Sequence, residues 1–360
     1  MNRSLRPILA ALVALVLAPS LVGCGGGGGD DPPPPVAVCR AGELPDGAAS
    51  GTFAVAGWTD RGYDLQLPAT HRCGQPIALA IVFHGGGGNK AIGQATTCPN
   101  GDTASASCID RVALASGMAV VFADGTKVPG SELVTPGGIR TWNAGGGTGG
   151  YNCVSGNACN NGVDDMAYVR ALVGAIGAQV TIDPKRTFAT GFSNGAALSH
   201  RLACQASELF AAVAPVSGEN QFALVNGGCT PAQHVAVLDV HGTADGCWPY
   251  AGGTGGCVDD GLYVSVPATL ADWAARAGCG AATETTLAPI AAADGTSVVR
   301  VGYAGCAAGG ELQHLRIVGG GHYWPRGSSF SVTGGSGGVQ SQQLDASQAV
   351  IGWFAAHGRS

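Results

Sequence analysis

Charge is what this chain has least of. Only 12% of its 360 residues are charged, three of them lysines (Lys90, Lys127 and Lys185), and the net charge is −6. A protein that grips nucleic acid needs a basic patch, and none is present, so no nucleic-acid partner is expected. No Gly-Lys-Ser/Thr follows any glycine run, and no spaced G-x-G-x-x-G has a suitable acid downstream, which excludes the common phosphate-cradling loops. Paired Cys-x-x-Cys spacing is missing, so the cysteines do not read as zinc ligands and no metal is expected. Internal repeats are absent too. What remains is 46% hydrophobic residues and 61 glycines, enough apolar material for a sizeable core under a surface of Gly, Ser, Thr, Asn and backbone polarity. Past the N-terminal segment roughly 325 residues remain, which one α/β domain can accommodate.

The densest signal is Gly191-Phe192-Ser193-Asn194-Gly195. Arg186–Thr190 before it reads as a short buried strand, and Ala196–Cys204 after it as a helix. A strand that turns at once into a helix strains the corner residue and needs small neighbours on both sides. The outcome is a serine hydroxyl raised above a helix N-terminus, where developing negative charge is favoured. A serine hydroxyl is a poor nucleophile until a base takes its proton and a third group orients that base. Val235–Gly242 is a strand, and Asp245 lies just past its C-terminal end. Leu315–Val318 is another, running into Gly319-Gly320-Gly321-His322. Ser193 is therefore expected as nucleophile, His322 as general base and acid, and Asp245 as the orienting carboxylate.

Other candidates are less well placed. Asp239 lies inside a strand with no evident partner, and Asp259 and Asp260 follow no strand. His241 closes its strand as a packed residue. His71, His234 and His314 lie at no strand-end loop, while His200 and His357 fall in helices. The apolar run Ile77–Phe83 suits a central strand and leads into His84-Gly85-Gly86-Gly87-Gly88-Asn89. Glycines let backbone N–H groups approach a reacting oxygen. The oxyanion donors are expected to be the N–H groups of Asn194 and Gly86, with Gly87 next.

Seven segments now fall in order: His84–Asn89, Arg140-Thr-Trp-Asn143, Val163-Asp-Asp165, Gly191–Gly195, Ala212-Val-Ala-Pro-Val-Ser-Gly218, His241-Gly-Thr-Ala-Asp245 and Gly319-Gly-Gly-His-Tyr-Trp-Pro325. Together they resemble the polyhydroxybutyrate depolymerase and feruloyl esterase-like family of secreted serine esterases, from about Val55 to the C-terminus. The resemblance implies an α/β-hydrolase fold, ester hydrolysis without a cofactor, and the same three residues in the same roles. Polyester-degrading members usually add a linker and a substrate-binding domain. Their lack here favours feruloyl, acetyl or other small esters over poly(3-hydroxybutyrate) or its oligomers. A ligand-binding surface lipoprotein on an inactive scaffold is the reading from another class, and the intact triad argues against it. An acyltransferase differs only in the acceptor that reaches the acyl-enzyme.

The rest of the chain fits that frame. Ala119–Ala123 reads as a strand. Val163, Met166, Val169, Leu172, Val173 and Ile176 fall at helical spacing, with Asp164 and Asp165 capping the first turn. Alternating strands and helices predict a mostly parallel sheet with helices on both faces and a site at the strands' C-terminal ends. Pro136–Asn161 is expected as a rim loop. Trp142, Trp248 and Trp324, with Tyr151, Tyr250 and Tyr323 nearby, are candidates to stack on a feruloyl ring or a sugar, or else to pack beneath the rim.

The N-terminus reads as an address. Arg3 and Arg6 precede the apolar run Ile8–Leu17, too short for a spanning helix, and Leu21-Val22-Gly23-Cys24 resembles a lipobox. Residues 1–23 are expected as a signal peptide and Cys24 as the lipidated residue. Residues 24–35 then form a Gly/Pro tether whose Gly25–Pro35 stretch spans at most roughly 35 Å, and 36–360 the catalytic domain. That implies export of a monomer held to a bacterial membrane, the outer one, or released outside the cell. Thirteen cysteines less Cys24 leave twelve that can pair. Pairing neighbours gives Cys39–Cys73, Cys98–Cys108, Cys153–Cys159, Cys204–Cys229, Cys247–Cys257 and Cys279–Cys306.

Overall fold

The computed structural model describes residues 38–359 except 48–49, 129–137, 154–157, 256–260 and 330–337. The lipobox, the tether, Cys257, Asp259 and Asp260 lie outside the described residues. Ten strands form one sheet: β1 (Ser50–Val55), β2 (Trp58–Gln66), β3 (Ile77–Phe83), β4 (Ala119–Ala123), β5 (Ile182–Phe192), β6 (Ala212–Val216), β7 (Ala236–Gly242), β8 (Ala282–Thr286), β9 (Ser297–Tyr303) and β10 (Leu312–Val318). Their spatial order is β1-β2-β4-β3-β5-β6-β7-β10-β9-β8. From β4 to β10 every neighbouring pair is parallel. The two outer strands on each side run antiparallel.

β3 shows why the sheet carries helices on both faces. All seven of its residues are buried, so neither side meets water. Its period of two splits them between two cores. Leu79, Ile81 and Phe83 pack with side chains of α3 (Asp165–Gln179), α4 (Asn194–Gln205) and α5 (Val266–Arg276). Ala78, Ala80 and Val82 pack with those of α2 (Ile109–Ala115) and α6 (Ala346–Ala356). In the second core Phe354 stacks on Phe188 at 4.8 Å. Burying a side chain of that size stabilises by about 1.5–3 kcal/mol.

Helix starts follow from single side chains. Asn89, Asp164, Ser265 and Asp345 cap α1 (Lys90–Thr96), α3, α5 and α6 by accepting from the Ile92, Ala167, Ala268 and Gln348 N–H groups. Asp165, expected to share the capping, is buried instead, with the Arg61 guanidinium 2.6 Å away and the Asn143 N–H donating to its other oxygen. Five bridges are present among the described residues: Cys39–Cys73, Cys98–Cys108, Cys153–Cys159, Cys204–Cys229 and Cys279–Cys306. Cys247 is also disulfide-bonded. No helix among the described residues is long and apolar enough to cross a membrane.

Candidate active site

The elbow is built as its glycines demand. β5 ends at Phe192 and α4 starts at Asn194, leaving Ser193 between them at φ 55° and ψ −115°. A non-glycine residue in that region is strained by about 1–3 kcal/mol and persists only where its surroundings hold it. The Ser193 N–H donates to the Val216 carbonyl at 2.9 Å, and its own carbonyl accepts from Ala197 at 3.0 Å. A Cβ on Gly191 would meet the Gly195 carbonyl carbon at 2.5 Å, and one on Gly195 would meet the His84 carbonyl oxygen at 2.6 Å. Only glycine permits that approach. Ser193 stays partly exposed while Asn194 and Gly195 are buried.

Asn194 works through both ends. Its amide oxygen accepts from the Trp142 N–H at 2.7 Å, and its Nδ2 donates to the Trp142 carbonyl at 3.0 Å, locking the elbow to the 140–143 segment. Its backbone N–H lies in the first turn of α4, where helix geometry supplies no acceptor. Across from it, the loop after β3 is set by His84. Nδ1 donates to the Gly85 carbonyl at 2.7 Å and Nε2 accepts from the Gly125 N–H at 3.0 Å. Burial drives this ring down to about 3, so it is neutral and holds that one tautomer. Of the two glycines expected for this role, Gly87 already donates its N–H to the Arg140 carbonyl at 3.0 Å.

The loops after β7 and β10 are laced together. Thr243 N–H donates to Ile317, Ala244 N–H to Gly320, and Gly319 N–H to the Thr243 hydroxyl, all at 2.9 Å. A Cβ on Gly242 would meet the Gly320 carbonyl carbon at 2.5 Å. This lacing brings Asp245 and His322, 5% and 6% exposed, to 2.8 Å between Oδ2 and Nδ1. Asp245 Oδ1 accepts from the Cys247 and Trp248 N–H groups at 2.8 and 2.7 Å. Burial alone would raise this carboxyl, yet His322 and His241 hold it far below the usual carboxylate range. The His322 ring packs on Phe192, beside Ser193, with centroids 4.8 Å apart.

Several sequence expectations change. Trp142, Trp248 and Trp324 do not line a substrate cleft: each is 1% exposed. Their indole N–H groups donate inward to the His84 carbonyl, the Val264 carbonyl and the Ser347 hydroxyl. An indole engaged at one end and covered at the other is part of the floor. Trp142 and its neighbours likewise make Arg140–Ala144 a buried support rather than open rim. Asp239 is not partnerless. His314 Nδ1 lies 2.6 Å from its Oδ2, and His200 Nε2 lies 3.8 Å from its Oδ1. Glu219, just past β6, escaped sequence reading altogether. It is fully buried and lies 2.8 Å from His241 Nδ1, which the strand-end rule used for Asp245 could have revealed.

Among the described residues, three groups of ligating side chains gather within 4.8 Å: Cys98, Cys108 and Asp110; Asp245, Cys247 and His322; and His200, Glu219 and Asp239. Cys98 and Cys108 are joined to each other, Cys247 is disulfide-bonded, and the acids of the other two groups already face histidines.

Comparison with solved structures settles the architecture. The native crystal structure of sOPH covers 90% of this chain and 91% of its own, with a TM-score of 0.51 at 15% identity. Native pOPH gives 0.50 at 16% identity over similar spans. The chain has an α/β-hydrolase fold. No protein-family model matches it. In sequence it is 29% identical to Feruloyl esterase B of Piromyces equi over 172 residues, 47% of this chain and 28% of that one. It is 38% identical to Probable feruloyl esterase C of Aspergillus clavatus over 96 residues, 27% of this chain and 34% of that one. The chain thus spans about a third of the length of these two feruloyl esterases. The protein named "Putative esterase NocK" of Nocardia uniformis subsp. tsuyamanensis is 25% identical over 306 residues, 82% of this chain and 79% of its own.

Proposed function

We propose that this α/β-hydrolase is an exported carboxylic ester hydrolase that works through Ser193, His322 and Asp245 and prefers feruloyl, acetyl or similar small esters. The observation that carries the reading is the Asp245–His322 contact at 2.8 Å, set beside the strained serine by the Phe192 ring. Since Nδ1 of His322 donates to Asp245, Nε2 is the free base that takes the Ser193 proton. The serine oxygen then adds to the ester carbonyl, and the N–H groups of Asn194 and Gly86 hold the resulting oxyanion. Each such donor typically contributes about 2.7–4 kcal/mol to the transition state. The tetrahedral intermediate expels the alcohol, which receives the proton from His322. Water, deprotonated by the same imidazole, adds to the acyl-enzyme and releases the acid and free Ser193. No step needs a cofactor.

The likeness to feruloyl esterases supports aromatic-acid esters ahead of polyester as substrate. The five disulfides among the described residues, with the bonded Cys247, fit an oxidising compartment. The address proposed for residues 1–35, with Cys24 carrying the lipid, is tested by Cys24→Ala, which is expected to move the protein out of the membrane fraction with unchanged activity. The function is tested by assaying the purified chain on p-nitrophenyl acetate, methyl ferulate, acetylated xylan and a polyhydroxybutyrate film, beside Ser193→Ala. The variant is expected to lose turnover by a factor on the order of 10⁶ with unchanged circular dichroism. A variant keeping more than a few per cent of activity would remove Ser193 from the nucleophile's role.

A further inference from the structure

Behind Asp245 stands a second acid–base pair that the reaction above leaves idle. Glu219 and His241 are fully buried, Glu219 just past β6 and His241 one residue before the end of β7. Nδ1 of His241 lies 2.8 Å from Glu219 Oε1. Its Nε2 lies 2.9 Å from the Trp248 carbonyl oxygen and 3.2 Å from Asp245 Oδ2. All three neighbours are acceptors. A neutral imidazole has one bare nitrogen, whose lone pair would face an oxygen lone pair on one side or the other. With both carboxylates ionised, the imidazolium, with an N–H on each side, is the form that suits both. The Nδ1–H does not aim straight at the carboxylate, so the Glu219 contact is an ion pair rather than an aligned hydrogen bond.

The groups around this ring are few. Tyr250 meets it edge-on at 6.1 Å, and its hydroxyl lies 3.1 Å from His314 Nε2. Arg316, opposite His241 on β10, forks onto Glu284. His200 of α4 has its Nδ1 taken by the Trp273 N–H at 3.0 Å and faces Asp239 with the other nitrogen. Glu219 and Asp245 are therefore the charges that bear on His241 at contact distance. Burial alone would strip its proton, and the two carboxylates hold it well above its ordinary value.

We infer that Glu219 and His241 form a fixed-charge positioning pair that clamps Asp245 and sets the pH at which the Asp245–His322 couple supplies a free base. The inference rests on the triad proposed above. Asp245 Oδ2 is shared between two imidazoles, 2.8 Å from His322 and 3.2 Å from His241. A cation behind the carboxylate weakens its pull on a proton at His322, so the base is freed at lower pH. With both carboxylates ionised and His241 charged, the four groups sum to −1 while His322 is the free base and to zero once it takes the serine proton, so the buried charge is matched in the state that the reaction must reach.

The test is the pH dependence of kcat/KM on p-nitrophenyl acetate for the full chain, with two variants and one measurement on the wild type. His241→Gln keeps a side-chain N–H but removes the charge. Its acid limb is expected to move up by roughly half to one pH unit. Glu219→Gln, which lets His241 shed its proton, is expected to move it the same way by less. A purely structural pair would lower activity equally at every pH, and acid limbs that stay put in a folded variant overturn the inference. In wild-type protein labelled at histidine nitrogen, at least one ring is expected to remain doubly protonated at pH 8.5. Finding none overturns the inference even where both variants fail to fold. Ser193→Ala separates the two levels: activity surviving there sinks the triad, whereas a dead serine variant with coincident acid limbs sinks only the pair.

Discussion

Asp239 and Asp245 belong to one stretch of chain, are both buried, and are each faced by two histidines, yet they occupy different worlds. Asp239 is inside β7, between His314 of β10 and His200 of α4, sealed from solvent on every side. Asp245 is past the end of the same strand, where the loops after β7 and β10 lace together, and its histidine packs on the residue before a strained serine. The chemical parts are the same. On the proposed mechanism, position relative to the sheet's C-terminal edge decides which cluster meets a substrate and which fastens a strand to a helix.

The sharpest way to break that contrast is to neutralise each aspartate in turn. Asp245→Asn is expected to reduce turnover by a factor on the order of 10⁴, because the amide no longer holds His322 in the productive tautomer. Its loss of stability is expected to be the smaller of the two, since His322 sits nearer solvent and can stay neutral. Steady-state kinetics and denaturant melts on the same preparation read both effects. Full turnover in this variant would mean that the His322–Asp245 contact is structural.

Asp239→Asn is expected to do the reverse. Breaking a buried pair by removing one partner typically costs about 3–5 kcal/mol, while turnover per folded molecule changes by less than about tenfold. The pH dependence gives a second reading. Burial on its own would raise the Asp239 carboxyl, but His200 and His314 hold it well below its unfolded value of 3.8. A group with a depressed folded value adds stability above the unfolded value and loses it as pH falls below. Wild-type protein is therefore expected to lose stability as pH drops below about 4, and Asp239→Asn to flatten that part of the curve. Parallel acid-unfolding curves would rule out Asp239 as the source.

Legibility in the sequence followed the same divide. β3, β4 and the strand before Asp245 are apolar runs, and the elbow, Asp245 and His322 stand at strand ends, where position alone narrows the choice. β2 was hidden because its buried side carries Arg61 along with Tyr63 and Leu65. That guanidinium lies 3.5 Å from the Tyr168 ring centroid and 2.6 Å from Asp165, contacts that join residues far apart in the chain. The edge strand β8 is exposed along its whole length and has no apolar pattern to read. Glu219, His200 and His314 become partners only when β6, β7, β10 and α4 come together. The tryptophans stayed open between stacking on substrate and packing beneath the rim for a related reason, since sequence gives their nearness to the site but not which way the rings face.

The smallest expected effect probes how firmly the Asp245 loop must be held. Cys247 donates its N–H to Asp245 Oδ1 at 2.8 Å and is disulfide-bonded. We propose Cys257 as its partner, which closes a loop of about ten residues, for which chain entropy gives roughly 2–3 kcal/mol. The neighbouring Trp248 N–H still reaches the same oxygen at 2.7 Å, so the carboxylate keeps part of its clamp without the bridge. The Cys247→Ser, Cys257→Ser double variant is therefore expected to melt cooperatively at a lower temperature and to lose turnover by roughly threefold to tenfold. Asp239→Asn offers the matched control, with a larger fall in melting temperature and a smaller fall in turnover. If the double variant loses stability alone, the bridge serves the fold and the laced loops hold Asp245 without it. A peptide map joining Cys247 to another cysteine would remove the premise.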